Sequence, residues 1–223
     1  MTEQLNGTSQ TAGYHSDQPV MTTGKTLAEA KAAMILLHGR GATAQSILSL
    51  AGELYHPEFA YLAPQAAGNQ WYPNRFMTPI AGNEPYLSAA LAVVDGLVRQ
   101  LGQAGIPPER IVLAGFSQGA CLALEYAGRY AQRYGAVIGF SGGLIGPPGT
   151  AWNFGGSLAG TPVFLGCSDV DFHIPATRVE ESAEAMRALG GDVTVRLYPG
   201  MEHTIVEDEL AFARGMIEGM MGE

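Results

Sequence analysis

Apolar residues along this chain follow two alternating rhythms. Short unbroken runs rich in branched side chains occur at Lys31–Leu37, Phe59–Ala63, Ile111–Ala114, Ala136–Phe140 and Pro162–Gly166, each closed by glycine, proline or a polar turn. Runs of that length, apolar on both faces, predict strands covered on both sides of a sheet. Between them, apolar positions return every three or four residues. Thr43 can cap a helix reaching about Glu53, with Ile47, Leu48, Leu50 and Leu54 at helical spacing. Further helices are predicted over Leu87–Gln103, Ala120–Tyr130, Ala176–Leu189 and Val206–Met220. Val193–Tyr198 alternates apolar and polar residues, the pattern of a strand near an edge. Strand and helix therefore alternate throughout, which predicts one α/β domain built on a mostly parallel sheet with helices on both faces.

Two stretches resist that rhythm. Gln65–Pro85 carries Trp71, Tyr72 and Phe76, and Gly142–Gly160 carries Trp152 and Phe154; prolines and glycines forbid helix in both. The opening of the chain, through about Thr23, is rich in Thr, Gln, Asn, Ser and Gly. It lacks the apolar core of a signal peptide, and no later segment approaches the length of a membrane span, so residues 1–25 are expected to be a flexible segment preceding a domain over 26–223.

Composition narrows the class. At 223 residues the chain suffices for one full core. A composition 47% hydrophobic and 15% charged is that of a soluble globule, and a net charge of −9 disfavours nucleic acid and anionic membrane surfaces. With no signal-peptide core and no segment of membrane-span length, a cytoplasmic protein without stable membrane insertion is expected. Cys121 and Cys167 offer no disulfide framework and read as buried thiols. No His/Asp/Glu cluster has metal-ligand spacing, so neither a metal nor a cofactor is expected.

The candidate chemistry lies at the ends of the strands. Gly115-Phe116-Ser117-Gln118-Gly119 joins a buried strand to a helix, the setting of a nucleophile elbow, in which small residues two before and two after let strand and helix nearly touch. Glycine is abundant, 30 residues in all, and the same spacing recurs at Gly139-Phe140-Ser141-Gly142-Gly143. That second copy runs into Leu-Ile-Gly-Pro-Pro-Gly, which cannot begin a helix, so Ser141 reads as a strand-end turn serine and Ser117 as the nucleophile. A serine hydroxyl needs a base. Of five histidines, His203 alone lies between the last strand and the last helix; His15 and His56 read as surface residues and His38 as a turn stabiliser, while His173 is left open between structure and substrate contact. The acid is Asp171 in preference to Asp169, which can cap a turn instead. The order Ser, Asp, His along the chain is that of an α/β-hydrolase. The oxyanion donors are expected to be the backbone N–H groups of Gln118 and of Arg40 in His38-Gly39-Arg40-Gly41.

These motifs, with Ser141-Gly142-Gly143-Leu144, Asp171 to Pro175 and Gly200-Met201-Glu202-His203, resemble the small α/β-hydrolases of the phospholipase/carboxylesterase family, which includes the acyl-protein thioesterases. Trp71-Tyr72-Pro73 and Asn83-Glu84-Pro85 look closer to its bacterial esterase branch. The resemblance spans about Ala32 to Met220 and implies a hydrolase without a lid domain, a triad of Ser117, Asp171 and His203, and oxyanion amides at Arg40 and Gln118. One departure is Phe172, where family members often carry proline. The expected activity is a serine carboxylesterase on short-to-medium acyl esters. Acyl thioesterase or lysophospholipase activity is the alternative, and a non-catalytic binding protein the competing class. Trp71, Tyr72 and Phe76 are expected to wall the acyl pocket. The expected partner is a small-molecule ester, with at most a second copy of the chain beside it.

Overall fold

The structure is a computed structural model that describes residues 13–222. Seven strands form one sheet: β1 (Val20–Gly24), β2 (Ala32–Leu37), β3 (Phe59–Pro64), β4 (Ile111–Phe116), β5 (Ala136–Phe140), β6 (Pro162–Ser168) and β7 (Asp192–Tyr198). Their order is β1-β3-β2-β4-β5-β6-β7. Strands β2 to β7 run parallel, and β1 lies antiparallel on β3 at one edge. Six helices cover the sheet: α1 (Ala44–Ile47), α2 (Leu50–Glu53), α3 (Tyr86–Gln103), α4 (Gln118–Arg129), α5 (Ala176–Ala188) and α6 (Glu207–Gly222).

Alternation along the strands sends neighbouring residues to opposite cores. Ala33, Ile35 and Leu37 of β2 join Leu113 and Val137 in the layer closed by α3, α4 and α5. Ala32, Met34 and Leu36 join Ala114, Ile138 and Phe140 in the layer closed by α1, α2 and α6. Helix α3 shows how the sequence directs this: Leu87, Leu91, Val94, Leu97 and Leu101 recur at three and four residues and are all buried. The register sets Leu37 beside Gly115, Phe116 beside Phe140 and Ser168 beside Tyr198, so the carboxyl ends of the central strands open on one edge. That edge is where a parallel α/β sheet binds ligands.

Three local expectations are corrected. Of the segment expected to be flexible, residues 1–12 lie outside the described residues, but 13–25 include β1, paired residue for residue with β3 from Val20 opposite Pro64 to Gly24 opposite Ala60. Its Val-Met-Thr-Thr forms an edge strand exposed at every position but the half-buried Met21, so it does not stand out from a polar leader. His15, expected at the surface, is buried; the Ala67 N–H donates to its Nδ1 at 3.1 Å, so Nε2–H donates to the Trp71 carbonyl at 3.1 Å. The helix expected from Thr43 to Glu53 is broken after Ile47. There the hydroxyls of Ser46 and Ser49 donate back to the carbonyls of Thr43 and Ser46, each at 2.8 Å, competing with the helical ladder.

Candidate active site

Ser117 stands between β4 and α4 with φ 54° and ψ −117°, a conformation L-residues rarely adopt. The surrounding glycines make it affordable. A Cβ on Gly119 would lie 2.0 Å from the Leu37 carbonyl oxygen, and one on Gly115 would lie 2.4 Å from the Gly119 carbonyl carbon. Strand and helix therefore meet at a distance only glycine permits. The turn is pinned by the Ser117 N–H donating to Phe140 at 2.9 Å and the Cys121 N–H donating to Ser117 at 3.0 Å.

Tertiary structure brings His203 and Asp171 to that hydroxyl. The imidazole Nε2 lies 2.9 Å from Ser117 Oγ, and Nδ1 lies 2.5 Å from Asp171 Oδ2. An ionised carboxylate only accepts, so Nδ1–H donates to Asp171 and the Nε2 lone pair faces the serine proton. The ring is packed between Phe116 and His173, whose centroids each lie 4.9 Å away. Asp171 Oδ1 accepts the N–H groups of His173 at 2.8 Å and Ile174 at 3.0 Å. Burial opposes ionisation of this carboxyl, but the bonds from His203 and the two amides outweigh it and hold Asp171 below its ordinary range.

Asp169 takes the other part the sequence left open to it. Its Oδ1 accepts the Gly200 N–H at 2.8 Å and ties the acid loop to the loop carrying His203. Phe172, in the place of the family's proline, is 81% exposed, and the N–H groups of the two residues after it donate to Asp171. Glu209, the third residue of α6, accepts the Val206 N–H at 2.8 Å through Oε2 and fixes the far end of the histidine loop. Its Oε1 is buried without a hydrogen-bond partner among the described residues.

A cavity of about 310 Å³ opens over Ser117. Tyr72, Phe76, Phe116 and Ile174 give it apolar walls, Cys121 lies in its lining, and Arg75 and His173 bring the polar atoms. Arg40 and Gln118 also border it. Gln118 opens α4, so its N–H has no acceptor within the helix. Burial pushes the Cys121 thiol up to about 12, which leaves it an inert wall. Cys167, also buried, is likewise pushed up to about 12.

Trp71 is not where the sequence suggested. It is fully buried beneath its loop, outside the cavity lining, with the indole N–H donating to the His38 carbonyl at 2.9 Å. Aromatic loop residues can wall a pocket or plug a core, and the polar edge of this ring found a carbonyl below the loop. Trp152 and Phe154 also lie off the cavity, Trp152 under the guanidinium of Arg178 and Phe154 against Gly128. His38 is buried and neutral, because burial lowers its pKa; the Ala66 N–H donates to its Nε2 at 3.0 Å and its Nδ1–H donates to the Gly39 carbonyl at 2.8 Å. Ser141 makes a strand-end turn with φ 50°, its N–H donating to Gly166 at 2.7 Å. Sequence reasoning missed the side-chain roles of Arg40 and Gln118. Arg40 donates to Gln70 Oε1 and to the carbonyls of Tyr72, Pro73 and Asn74 at 2.6–2.9 Å. Gln118 accepts from the Trp71 N–H at 2.9 Å and donates to the Tyr72 carbonyl at 2.8 Å.

A mostly parallel seven-stranded sheet, with an elbow serine, an acid loop and a histidine loop at its carboxyl edge, defines an α/β-hydrolase. The family described as Phospholipase/Carboxylesterase matches residues 21–221. The chain belongs to that family and is a serine hydrolase. The crystal structure of a phospholipase/carboxylesterase from Dyadobacter fermentans is 43% identical, with a TM-score of 0.88 over 93% of this chain and 99% of that one. Among curated relatives, an acyl-protein thioesterase 1 of Eremothecium gossypii is 27% identical over 220 residues, covering 85% of this chain and 89% of its own. Another, of Gibberella zeae, is 37% identical over 116 residues, 51% of this chain, and the match spans about half, 49%, of that relative's length.

Proposed function

We propose that the protein is a carboxylesterase acting on short-to-medium acyl esters through an acyl-enzyme intermediate. The observation that carries this reading is the unbroken chain from Ser117 Oγ through both nitrogens of His203 to Asp171, at 2.9 and 2.5 Å. In this mechanism Ser117 Oγ attacks the ester carbonyl carbon while His203 Nε2 takes its proton. Asp171 steadies the imidazolium, and the amides of Arg40 and Gln118 receive the oxyanion. Collapse breaks the acyl–oxygen bond, and His203 returns the proton to the leaving alcohol. Water, deprotonated by the same imidazole, then attacks the acyl carbon, and its oxygen leaves with the acid as Ser117 regains its proton. The cavity volume of about 310 Å³, walled by Tyr72 and Phe76, supports acyl groups of modest length.

Acyl thioesterase activity is the second reading, favoured by the relatives named acyl-protein thioesterase. The same attack serves a thioester. A fluorophosphonate probe tests the common chemistry: covalent labelling of the wild type and none of Ser117→Ala is expected, whereas an unlabelled wild type would leave a binding protein on a hydrolase fold. Matched panels of p-nitrophenyl esters, acyl thioesters and lysophospholipids then rank the substrates, with kcat/KM expected to peak among the short esters.

A further inference from the structure

The two residues whose backbone amides receive the oxyanion in the proposed mechanism share a second property. Both grip the same loop with their side chains, and both meet at one atom. Gln118 Nε2 donates to the Tyr72 carbonyl at 2.8 Å from the α4 side, and Arg40 Nη2 donates to the same oxygen at 2.9 Å from the β2 side. Around this node, Gln118 Oε1 accepts the Trp71 N–H, and Arg40 gives three further N–H groups to Gln70 Oε1, Pro73 and Asn74. The Gly41 N–H, next to Arg40, donates to the Asn69 carbonyl at 2.7 Å, and the Trp71 indole reaches back to His38 in the same turn. Arg40 follows β2 and Gln118 follows β4, neighbouring strands that carry no side-chain bond between these two residues. The loop is the bridge between them. Tyr72, whose carbonyl is the node, also lines the cavity.

We propose that Arg40 and Gln118 act through their side chains as positioning residues. The Tyr72 carbonyl, held from both sides, sets the separation of the two oxyanion amides and joins it to the acyl-pocket wall. Electrostatic stabilisation of this kind depends on donors fixed before charge develops, and displacement of such a group by about an ångström costs on the order of 100-fold in rate. Tyr72 reaches the chemistry through its backbone carbonyl, and the same residue lines the acyl cavity. Fit of the acyl group is thereby expressed in the oxyanion hole, and chain-length preference appears in kcat more than in KM. The guanidinium suits this post because its rigid planar fork holds four acceptors at once, one more than the three donors of an ammonium can serve.

The proposal rests on the esterase reading, and the test separates the two. Fluorophosphonate labelling run to completion counts active sites in the wild type, Arg40→Met, Arg40→Lys, Gln118→Met, Gln118→Glu and the double Arg40→Met/Gln118→Met, so that unfolded protein drops out of the rates. With p-nitrophenyl acetate and butyrate, each methionine variant is expected to lose about tenfold in kcat with KM within about twofold, and the double variant to lose no more than the worse single one, because each change frees the same carbonyl. Arg40→Lys and Gln118→Glu each remove only part of the grip: the lysine keeps the charge, and the glutamate keeps the acceptor for Trp71 while losing the donor to Tyr72. Arg40→Lys should fall between wild type and Arg40→Met, whereas Gln118→Glu, whose carboxylate would face the Tyr72 carbonyl, should lose at least as much as Gln118→Met and provides the reading if Gln118→Met does not fold. A trifluoromethyl ketone, which adds Ser117 and places an oxyanion in the hole, should lose affinity by the same factor as kcat, and the butyrate-to-acetate ratio in kcat should shrink towards one. Losses confined to KM, an unchanged ketone affinity, or fully multiplicative effects in the double variant would overturn the coupling. A wild type that neither labels nor turns over ester would instead overturn the esterase reading itself.

Discussion

Asp169 and Asp171 stand two residues apart at the end of β6, and the hydrogen bonds around them assign them different work. Asp171 has both oxygens engaged, one on His203 and one on two backbone amides, whereas among the described residues Asp169 accepts only the Gly200 N–H through its side chain. Asp171→Asn should lower kcat by about 10⁴-fold, since an amide presenting N–H to Nδ1 selects the wrong tautomer; Asp169→Asn, which can still accept from Gly200, should cost less than about tenfold. Steady-state kinetics on one ester compares the two. Glu209 makes a second prediction at this scale. Burial raises its pKa to about 7, so the folded state holds its proton more tightly than the unfolded chain does. Its contribution to stability is complete below the ordinary glutamate range, falls as pH rises through 5 and 6, and levels off above 7. Glu209→Gln, neutral throughout, should remove that slope and be more stable than wild type at pH 8 by about 2 kcal/mol, read from urea melts at pH 5 and pH 8. The exchange of roles between the aspartates was only half legible in the sequence. Both residue types were visible at one strand end, but the partner of each is a group about thirty residues further along.

At the scale of elements, the elbow is the feature that local sequence describes best. Its apolar strand, small residues at fixed offsets and amphipathic helix are all contiguous, and each is dictated by sterics at that spot. Gly119 tests this. Its missing Cβ is what lets α4 approach the end of β2, so Gly119→Ala should cost about 4 kcal/mol or more, appearing as loss of soluble protein or a large drop in Tm, whereas Gly52→Ala, where no atom lies within 4 Å of an added Cβ, should be nearly neutral. Elements whose pattern is weak were read less well. Strand β1 looks polar because its residues are mostly exposed, and only its ladder with β3 gives it structure. The helix after Thr43 is broken by serine hydroxyls that composition alone counts as helix-compatible. Trp71 belongs with these: its loop is irregular, and whether the ring turns outward to a pocket or downward to His38 depends on what lies beneath.

For the whole molecule, charge and topology act together. The net charge of −9 predicts no association with anionic surfaces. Co-sedimentation with phosphatidylserine vesicles at low salt should leave the protein in the supernatant; pelleting that added salt reverses would contradict this. The parallel sheet gathers residues from positions 40, 117, 171 and 203 at one edge, because every strand from β2 onward ends there. The sequence by itself determined the alternation of strand and helix, the hydrolase order of serine, acid and histidine, and the elbow, since each is written in spacing over a few residues. Only the tertiary structure decided which aspartate meets the imidazole, that Trp71 is sealed in the core, and that Arg40 and Gln118 share the Tyr72 carbonyl. Those outcomes depend on which backbone carbonyls and amides arrive from distant segments, and local spacing carries no record of such arrivals.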